Sequence, residues 1–374
     1  MNYFNQMLTA KTYGGANTIA LNLAAALRDC GKQSYAWIPG EGPAKAKAEE
    51  MKLKMRLYDP TRALASSRLG SALCNWTIAR QLVEYRPGLI HVHSPHYYRA
   101  LLPALKLSQL KTVVHIHLEE EREGLRWALK RPPDMIITCA RFLSEYVRSV
   151  LPERFQDNQQ IVAVPNAVDT KQFFPGDKNA AKVRLGVPGQ MALVLMVANL
   201  APHKGQETAL RAAAMLRKMD VAAQFWFAGV ERGSSQEYTS RLRALVNDLG
   251  LSDHVRFLGQ REDIPELLRA ADFLILPSTA EGLPLSILEA QASGTPVLAA
   301  PTAGIPEVVI HGKSGFLVGA DDAAGYAHHV CQLLRNQRLY SQTVNHAYTS
   351  VVREHTWDAY VERLHGVYQT FTNN

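Results

Sequence analysis

The chain is poor in the features that would tie it to a secreted, membrane-spanning or metal-ribbon protein. Its 374 residues hold four cysteines, Cys30, Cys74, Cys139 and Cys331. They are scattered with no Cys-x-x-Cys pair, which argues against a zinc ribbon or a disulfide framework and fits reduced, structural thiols. No stretch approaches the roughly 18 apolar residues of a membrane span, and the N-terminal stretch has no apolar segment behind basic residues of the kind a cleavable leader needs. A soluble, cytoplasmic protein is therefore expected. Nucleic acid is not an expected partner, because no recognition motif accompanies the basic charge.

The charge is unevenly spread. The 41 Lys and Arg exceed the 34 Asp and Glu, for a net charge of +7, and residues 1–170 alone hold 22 basic and 15 acidic side chains. All the excess thus lies in the first half. Between Lys45 and Arg68, basic residues interleave with Met51, Leu53, Met55, Leu57 and Leu64. Such a segment can lie on an anionic membrane surface, at about 1 kcal/mol per basic residue, or form a solvated helix and loop face.

A chain of this length suits two domains. Short apolar runs at 34–38, 89–93, 112–116, 135–139 and 161–164 alternate with helical patterns at 15–29, 62–85, 97–110 and 140–151. This is the signature of a parallel sheet with crossover helices. A second set follows, with strands at 192–198, 223–228, 255–258, 272–276, 296–299 and 315–318 and helices near 205–219, 236–248, 264–271 and 284–293. Residues 165–190, with prolines, glycines and charges, read as a linker. The expectation is an α/β chain of two Rossmann-like domains, 1–170 and 171–354, facing each other across a cleft. A last amphipathic helix occupies 355–374, with Trp357, Tyr360, Val361, Leu364, Val367, Tyr368 and Phe371 on one face. The first strand, within residues 2–8, is short and polar and reads as a truncated edge or a shortened start.

The most informative stretch is Pro277-Ser278-Thr279-Ala280-Glu281-Gly282-Leu283-Pro284-Leu285-Ser286-Ile287-Leu288-Glu289-Ala290. The apolar run before it reads as a buried strand, and Leu285, Ile287, Leu288 and Ala292 read as a helix with Pro284 in its first turn. Glu281 then stands at a strand-to-helix crossing and Glu289 about two turns inside the helix. The crevice beyond the strand C-termini of an open parallel sheet is where ligands bind, and a helix N-terminus there offers N–H groups to a phosphate. Carboxylates beside it can accept hydrogen bonds from sugar hydroxyls.

This segment resembles the Glu-x7-Glu motif of the retaining GT-B glycosyltransferases of family 4, the glycosyl transferases of group 1. Other stretches are similar to that family in the same order. Gly14-Gly15-Ala16 resembles its N-terminal turn, and Val164-Pro165-Asn166-Ala167-Val168-Asp169 with Phe173 and Pro175 its interdomain segment. Asn199-Leu200-Ala201-Pro202-His203-Lys204-Gly205 resembles its phosphate-binding loop. Phe257-Leu258-Gly259, Gly294-Thr295-Pro296-Val297, Gly304-Ile305-Pro306-Glu307 and Gly312 to Val318 extend the match across nearly the whole chain.

The resemblance implies a GT-B architecture whose last helix packs back on the first domain. It implies a retaining, metal-independent glycosyltransferase, a hexosyltransferase by preference, using a nucleotide-sugar donor, with a UDP-sugar the first choice and no cofactor. It assigns His117, Lys204 and Glu281 to catalysis. Donor binding falls to Gly15, Asn199, Lys204, Gly282, Leu283, Leu285 and Glu289, with Glu289 on the ribose hydroxyls and Glu281 on the sugar. Two departures stand out: neutral Asn199 occupies the place of a family Arg, for which Arg261 could substitute, and Asn17 that of an acidic residue. The acceptor reads as a glycan or a lipid-linked hydroxyl in bacterial cell-surface polysaccharide, lipopolysaccharide or glycolipid synthesis, reached from the inner face of the plasma membrane. The alternatives are an impaired nucleotide-sugar-binding protein, favoured by Asn199 and Asn17, and a GT-B epimerase or phosphorylase.

Histidines concentrate in the first half. Spacing of two puts His91 with His93, and His115 with His117, on common strand faces. Such pairs can bind zinc, but a zinc site would also want a carboxylate; no metal is assigned. No Asp-x-Asp stands where a metal-bound diphosphate would need it. The acidic run Glu119, Glu120, Glu121 and Glu123 reads as a solvated face.

Overall fold

A computed structural model describes residues 3–11, 14–59, 68–84, 88–188, 190–231 and 236–369. The chain divides into two compact units, one of Met1–Asn166 with Trp357–Asn374 and one of Ala167–Thr356.

The first unit is a seven-stranded parallel sheet. Its strands are β1 (Tyr3–Met7), β2 (Gln33–Ile38), β3 (Lys54–Leu57), β4 (Leu89–Val92), β5 (Lys111–Ile116), β6 (Met135–Thr138) and β7 (Ile161–Ala163), in the order β3-β2-β1-β4-β5-β6-β7. Crossovers are α1 (Ala16–Asp29), α2 (Pro43–Glu50), α3 (Arg68–Glu84), α4 (Pro95–Ser108), α5 (Arg122–Ala128), α6 (Arg141–Val150) and α7 (Glu153–Gln156). The central strands are near-continuous apolar runs because helices cover both faces of such a sheet. Helix α1 buries Ile19, Ala20, Leu23, Ala24 and Leu27 along one stripe. Helix α4 starts where the Ser94 hydroxyl accepts from the Tyr97 N–H and Pro95 fills the first turn.

Strand β1 is no truncated edge. It pairs with β2 on one side and β4 on the other, at the middle of the sheet. Its polar residues Asn5 and Gln6 are buried and their side-chain oxygens find ring partners, Asn5 accepting from the Trp37 indole N–H at 2.7 Å and Gln6 Oε1 lying 2.9 Å from His93 Nε2, while both amide nitrogens are enclosed without a partner. The basic segment also resolves differently from a continuous surface helix. Lys45 and Lys47 lie on α2, where Lys45 pairs with Glu41 and Glu49 and Lys47 with Glu50, and Lys54 and Arg56 lie on β3. Residues 60–67 of that segment fall outside the described residues.

The second unit is a six-stranded parallel sheet of β8 (Ala192–Val197), β9 (Ala223–Ala228), β10 (Val255–Gly259), β11 (Phe273–Leu276), β12 (Val297–Ala299) and β13 (Phe316–Leu317), ordered β10-β9-β8-β11-β12-β13. Its helices are α8 (Lys178–Leu185), α9 (Gln206–Lys218), α10 (Glu237–Asp248), α11 (Ile264–Ala270), α12 (Leu285–Ala292), α13 (Ile305–Val308), α14 (Ala323–Arg335) and α15 (Gln337–Glu354). Part of the expected linker is therefore helix. Lys178 and Lys182 of α8 both bind Asp272 just ahead of β11, at 3.3 and 2.5 Å. Helices α14 and α15 were not read from the sequence.

The final helix, α16 (Trp357–Gln369), returns to the first unit and packs on α1, and Tyr368 stacks on Phe4 with ring centroids 5.1 Å apart. Among the described residues, no helix is long and apolar enough to cross a membrane. In each sheet the strand order reverses once, between β1 and β4 and between β8 and β11. Those switch points are where open parallel sheets bind ligands, beyond the strand C-termini.

Candidate active site

The switch point of the second unit brings two loops together. After β8 the chain runs through Asn199 into a tight turn, Pro202–Lys204, and reaches Gly205, which has φ +79° and stands at the N-terminus of α9. After β11 it runs through Ser278 to Glu281 and enters α12 over Pro284. The His203 carbonyl ties the loops, accepting from the Thr279 N–H at 2.8 Å and from the Ser278 hydroxyl at 2.9 Å. Gly205 passes so close to the second loop that a Cβ there would lie 2.1 Å from the Pro277 carbonyl oxygen. Only glycine meets both the backbone angle and that approach. Thr302 braces the arrangement from behind by donating to the Ser278 carbonyl.

The loops deliver Lys204 and Glu281 to one point. Lys204 Nζ lies 2.7 Å from Glu281 Oε1, with side-chain exposures of 17% and 8%. Removing one partner from so covered a pair strands the other charge, at about 3–5 kcal/mol when burial is complete. The neighbouring His203 is held below its ordinary pKa, first by burial and then by the Lys204 cation. Beside the pair, α12 starts with no side-chain cap, so its first turn leaves N–H groups and a positive dipole end uncapped. Gly282 and Leu283 are buried in the approach to it, with Leu285 at its first turn, and the Gly282 carbonyl accepts from the Gly304 N–H. Glu289 sits one turn deeper, partly exposed as a residue, yet burial alone pushes its carboxyl up to about 7. One cation, an open helix end and two carboxylates in these positions can bind a diphosphate flanked by hydroxyl-bearing groups.

Asn199 serves through its backbone, its carbonyl accepting from the Gln206 side chain, whose own oxygen accepts from the Tyr238 hydroxyl. Arg261 is already held in a two-pronged bond to Asp263, at 2.8 and 2.6 Å. In the first unit, Gly15 (φ +52°) precedes α1, and Asn17 is buried, its side chain bracing the Thr9–Ala10 backbone. His117 follows β5 directly. Its Nε2 lies 3.0 Å from His93 Nδ1, its Nδ1 is buried without a partner, and burial pushes its pKa down to about 3. Within the acidic run, Glu121 caps α5 by accepting from the Glu123 and Gly124 N–H groups, and Glu120 pairs with His96 at 2.8 Å. These two glutamates are structural elements of the α5 entry, not a merely solvated face.

Residues 13–172 match the model of glycosyltransferase family 4, and residues 177–350 that of the glycosyl transferases of group 1. The D-inositol 3-phosphate glycosyltransferase of Acidothermus cellulolyticus is 39% identical over 334 residues, 83% of this chain and 74% of that protein. The chain belongs to glycosyltransferase family 4. A second relative, the D-inositol 3-phosphate glycosyltransferase of Stackebrandtia nassauensis, is 28% identical across 95% of this chain and 86% of its own length. Among solved structures, Anabaena HepE in complex with UDP-glucose aligns with a TM-score of 0.85 at 20% identity over 98% of this chain and 99% of that one. Sucrose-phosphate synthase of Thermosynechococcus elongatus aligns with a TM-score of 0.80 at 19% identity over the full length of both. The fold is GT-B.

For this glycosyltransferase, sequence reasoning did not single out the braces of these loops. Ser278, Thr279 and Thr302 hold the two loops, and Gly229, just after β9, passes so close to the end of β8 that a Cβ there would lie 1.9 Å from the Ala198 carbonyl oxygen. Hydroxyls in loops carry no spacing signal, although the run Pro277-Ser278-Thr279 after a strand is a turn cue.

Proposed function

We propose that this glycosyltransferase retains anomeric configuration, taking a hexose from a UDP-sugar and passing it to a hydroxyl of an anionic acceptor. The observation that carries the reading is the covered Lys204–Glu281 pair at the uncapped start of α12. In the free protein each partner satisfies the other. When a donor enters, Lys204 and the α12 N–H groups take the diphosphate, Glu281 and the backbone of Gly282 and Leu283 take sugar hydroxyls, and Glu289 takes the ribose. The bond from the anomeric carbon to the diphosphate oxygen breaks as the acceptor oxygen bonds to that carbon on the same face. The acceptor proton passes to the departing phosphate oxygen, and no protein nucleophile is required. Lys204 and the helix end supply the stabilisation a metal would otherwise give the leaving group, so catalysis is metal-independent. Asn199 leaves one cation fewer than the family pattern, so Lys204 carries more of that charge. His117 is assigned to the donor sugar by its resemblance to the family histidine at the end of the same strand.

The acceptor is read as a cell-surface glycan or glycolipid precursor at the cytoplasmic face of the plasma membrane. Supporting this are the basic excess of residues 1–170 and the exposed Leu73, Trp76 and Val83 on α3. Liposome co-sedimentation tests it: binding should require anionic lipid and weaken with salt. A second reading, a free phosphorylated inositol, is favoured by what the relatives are called. Proton NMR of the product decides the stereochemical claim; an α-linked donor should give an α-linked product, and a β-linked product contradicts it.

A further inference from the structure

Four imidazoles form a ladder on one face of the first sheet. His91 and His93 come from β4 and its end, His115 and His117 from β5 and its end, and adjacent rings stack with centroids 3.9 to 5.6 Å apart. We infer that Gln6 and His93 form a directed hydrogen-bond relay that fixes His117 as its Nε2–H tautomer, with Nδ1 left as a bare acceptor. The functional part of this inference rests on the role proposed for His117 above.

The direction follows from counting protons. Gln6 Oε1 lies 2.9 Å from His93 Nε2, and an amide oxygen only accepts, so His93 carries its proton on Nε2. Burial and the neighbouring imidazoles keep His93 neutral, with one proton, so its Nδ1 is a lone pair. His117 Nε2, 3.0 Å away, must then donate to it. His117 is neutral as well, and its Nδ1 is bare. At the far end of the ladder, the Tyr368 hydroxyl of α16 lies 2.7 Å from His91 Nδ1.

Nitrogens of His91, His93 and His115 lie within 4.8 Å of one another, the spacing a metal could exploit. The rings argue otherwise. His91 is inclined by 17° to His93 and by 14° to His115, and near-parallel stacked rings set their nitrogens side by side instead of aiming them at one centre, although His93 and His115 are tilted by 31°. Both His93 nitrogens are also already engaged. The consequence for transfer is specific. His117 cannot donate a proton to the departing oxygen, because its Nε2–H is turned to His93 and its Nδ1 is bare and enclosed. Gln6 and His93 are positioning residues.

The test is long-range proton–nitrogen NMR of the full chain with labelled imidazoles. The wild type should show His117 protonated at Nε2 and bare at Nδ1 across about pH 6 to 8, the range in which an ordinary histidine would titrate. Gln6→Met, similar in length but without an acceptor, should mix the tautomers of His117 and lower kcat several-fold with KM for the donor little changed. A wild-type His117 protonated at Nδ1 would overturn the relay, as would an unchanged His117 signature in folded Gln6→Met. So would stoichiometric zinc that chelation removes with a change in these ring signals. The wild-type spectrum decides even if the variant does not fold. Titration with UDP-glucose separates the two readings: a correct tautomer whose Nδ1 signal never responds keeps the relay and removes His117 from the donor site.

Discussion

Acid should open the first unit at its histidine ladder. His91 and His117 are held near 3, and His93 and His115 well below the ordinary 6.5, by burial first and, for all but His117, by the other imidazoles after it. No carboxylate appears among those causes. Because the folded pKa values are depressed, the unfolded chain takes up protons first as pH falls. The stability these groups lend is complete above 6.5 and is lost between 6.5 and about 3. At pH 5.5 each fully buried imidazole with an unfolded pKa of 6.5 costs about 1.4 kcal/mol, so the four together approach about 5 kcal/mol. His117 keeps some exposure and contributes less. That is comparable to the whole stability of an ordinary domain, about 5–15 kcal/mol. The assay is amide hydrogen exchange, corrected for the intrinsic pH dependence of exchange and read at β4 and β5. Their opening free energy should fall by several kcal/mol between about pH 7.5 and 5.5, and His115→Thr should reduce the slope by roughly a quarter. Equal protection of β4 and β5 at both pH values would refute the reasoning.

Other expectations are local to the donor site. Gly205→Ala forces a Cβ toward the Pro277 carbonyl at a left-handed φ, so it should destabilise by about 2 kcal/mol or more and weaken UDP binding at least about tenfold. Gly15→Ala also falls at a positive φ, here with ψ −123°, but meets nothing within 4 Å, so calorimetry should show only the backbone strain, about 1–3 kcal/mol. UDP affinity should rise as pH climbs through about 7, because ribose hydroxyls donate to ionised Glu289, whose carboxyl is pushed up to about 7 in the free protein. Isothermal titration of Glu289→Gln should find weaker binding with that pH dependence gone.

Apolar runs of parallel-sheet length made the strands legible in the sequence, because a strand buried on both faces has no alternation to obscure. Strand β1 broke the rule: Asn5 and Gln6 made a central strand look like an edge, and only their partners Trp37 and His93 explain why polar groups lie there. Strand β3 was hidden among basic residues because an edge strand exposes them, as Lys54 and Arg56 do. Helices α14 and α15 lay beyond the last motif and had no chemistry to draw attention to them. Glu281 and Glu289 were legible by spacing, and Lys204 by its Lys-Gly turn. Their geometry was not, since Lys204 and Glu281 are 77 residues apart and meet only through the strand order of the sheet. The histidine pairs were visible at spacing two, while the Gln6–His93–His117 chain depends on which strands lie side by side.

The most direct test of the account is nucleotide release by purified protein given UDP-, GDP- and ADP-sugars, each with and without D-inositol 3-phosphate or a bacterial envelope extract. The account predicts release of UDP that rises with an acceptor and is lost in both Glu281→Ala and Lys204→Met. Acceptor-dependent release that survives intact in those two variants would contradict it.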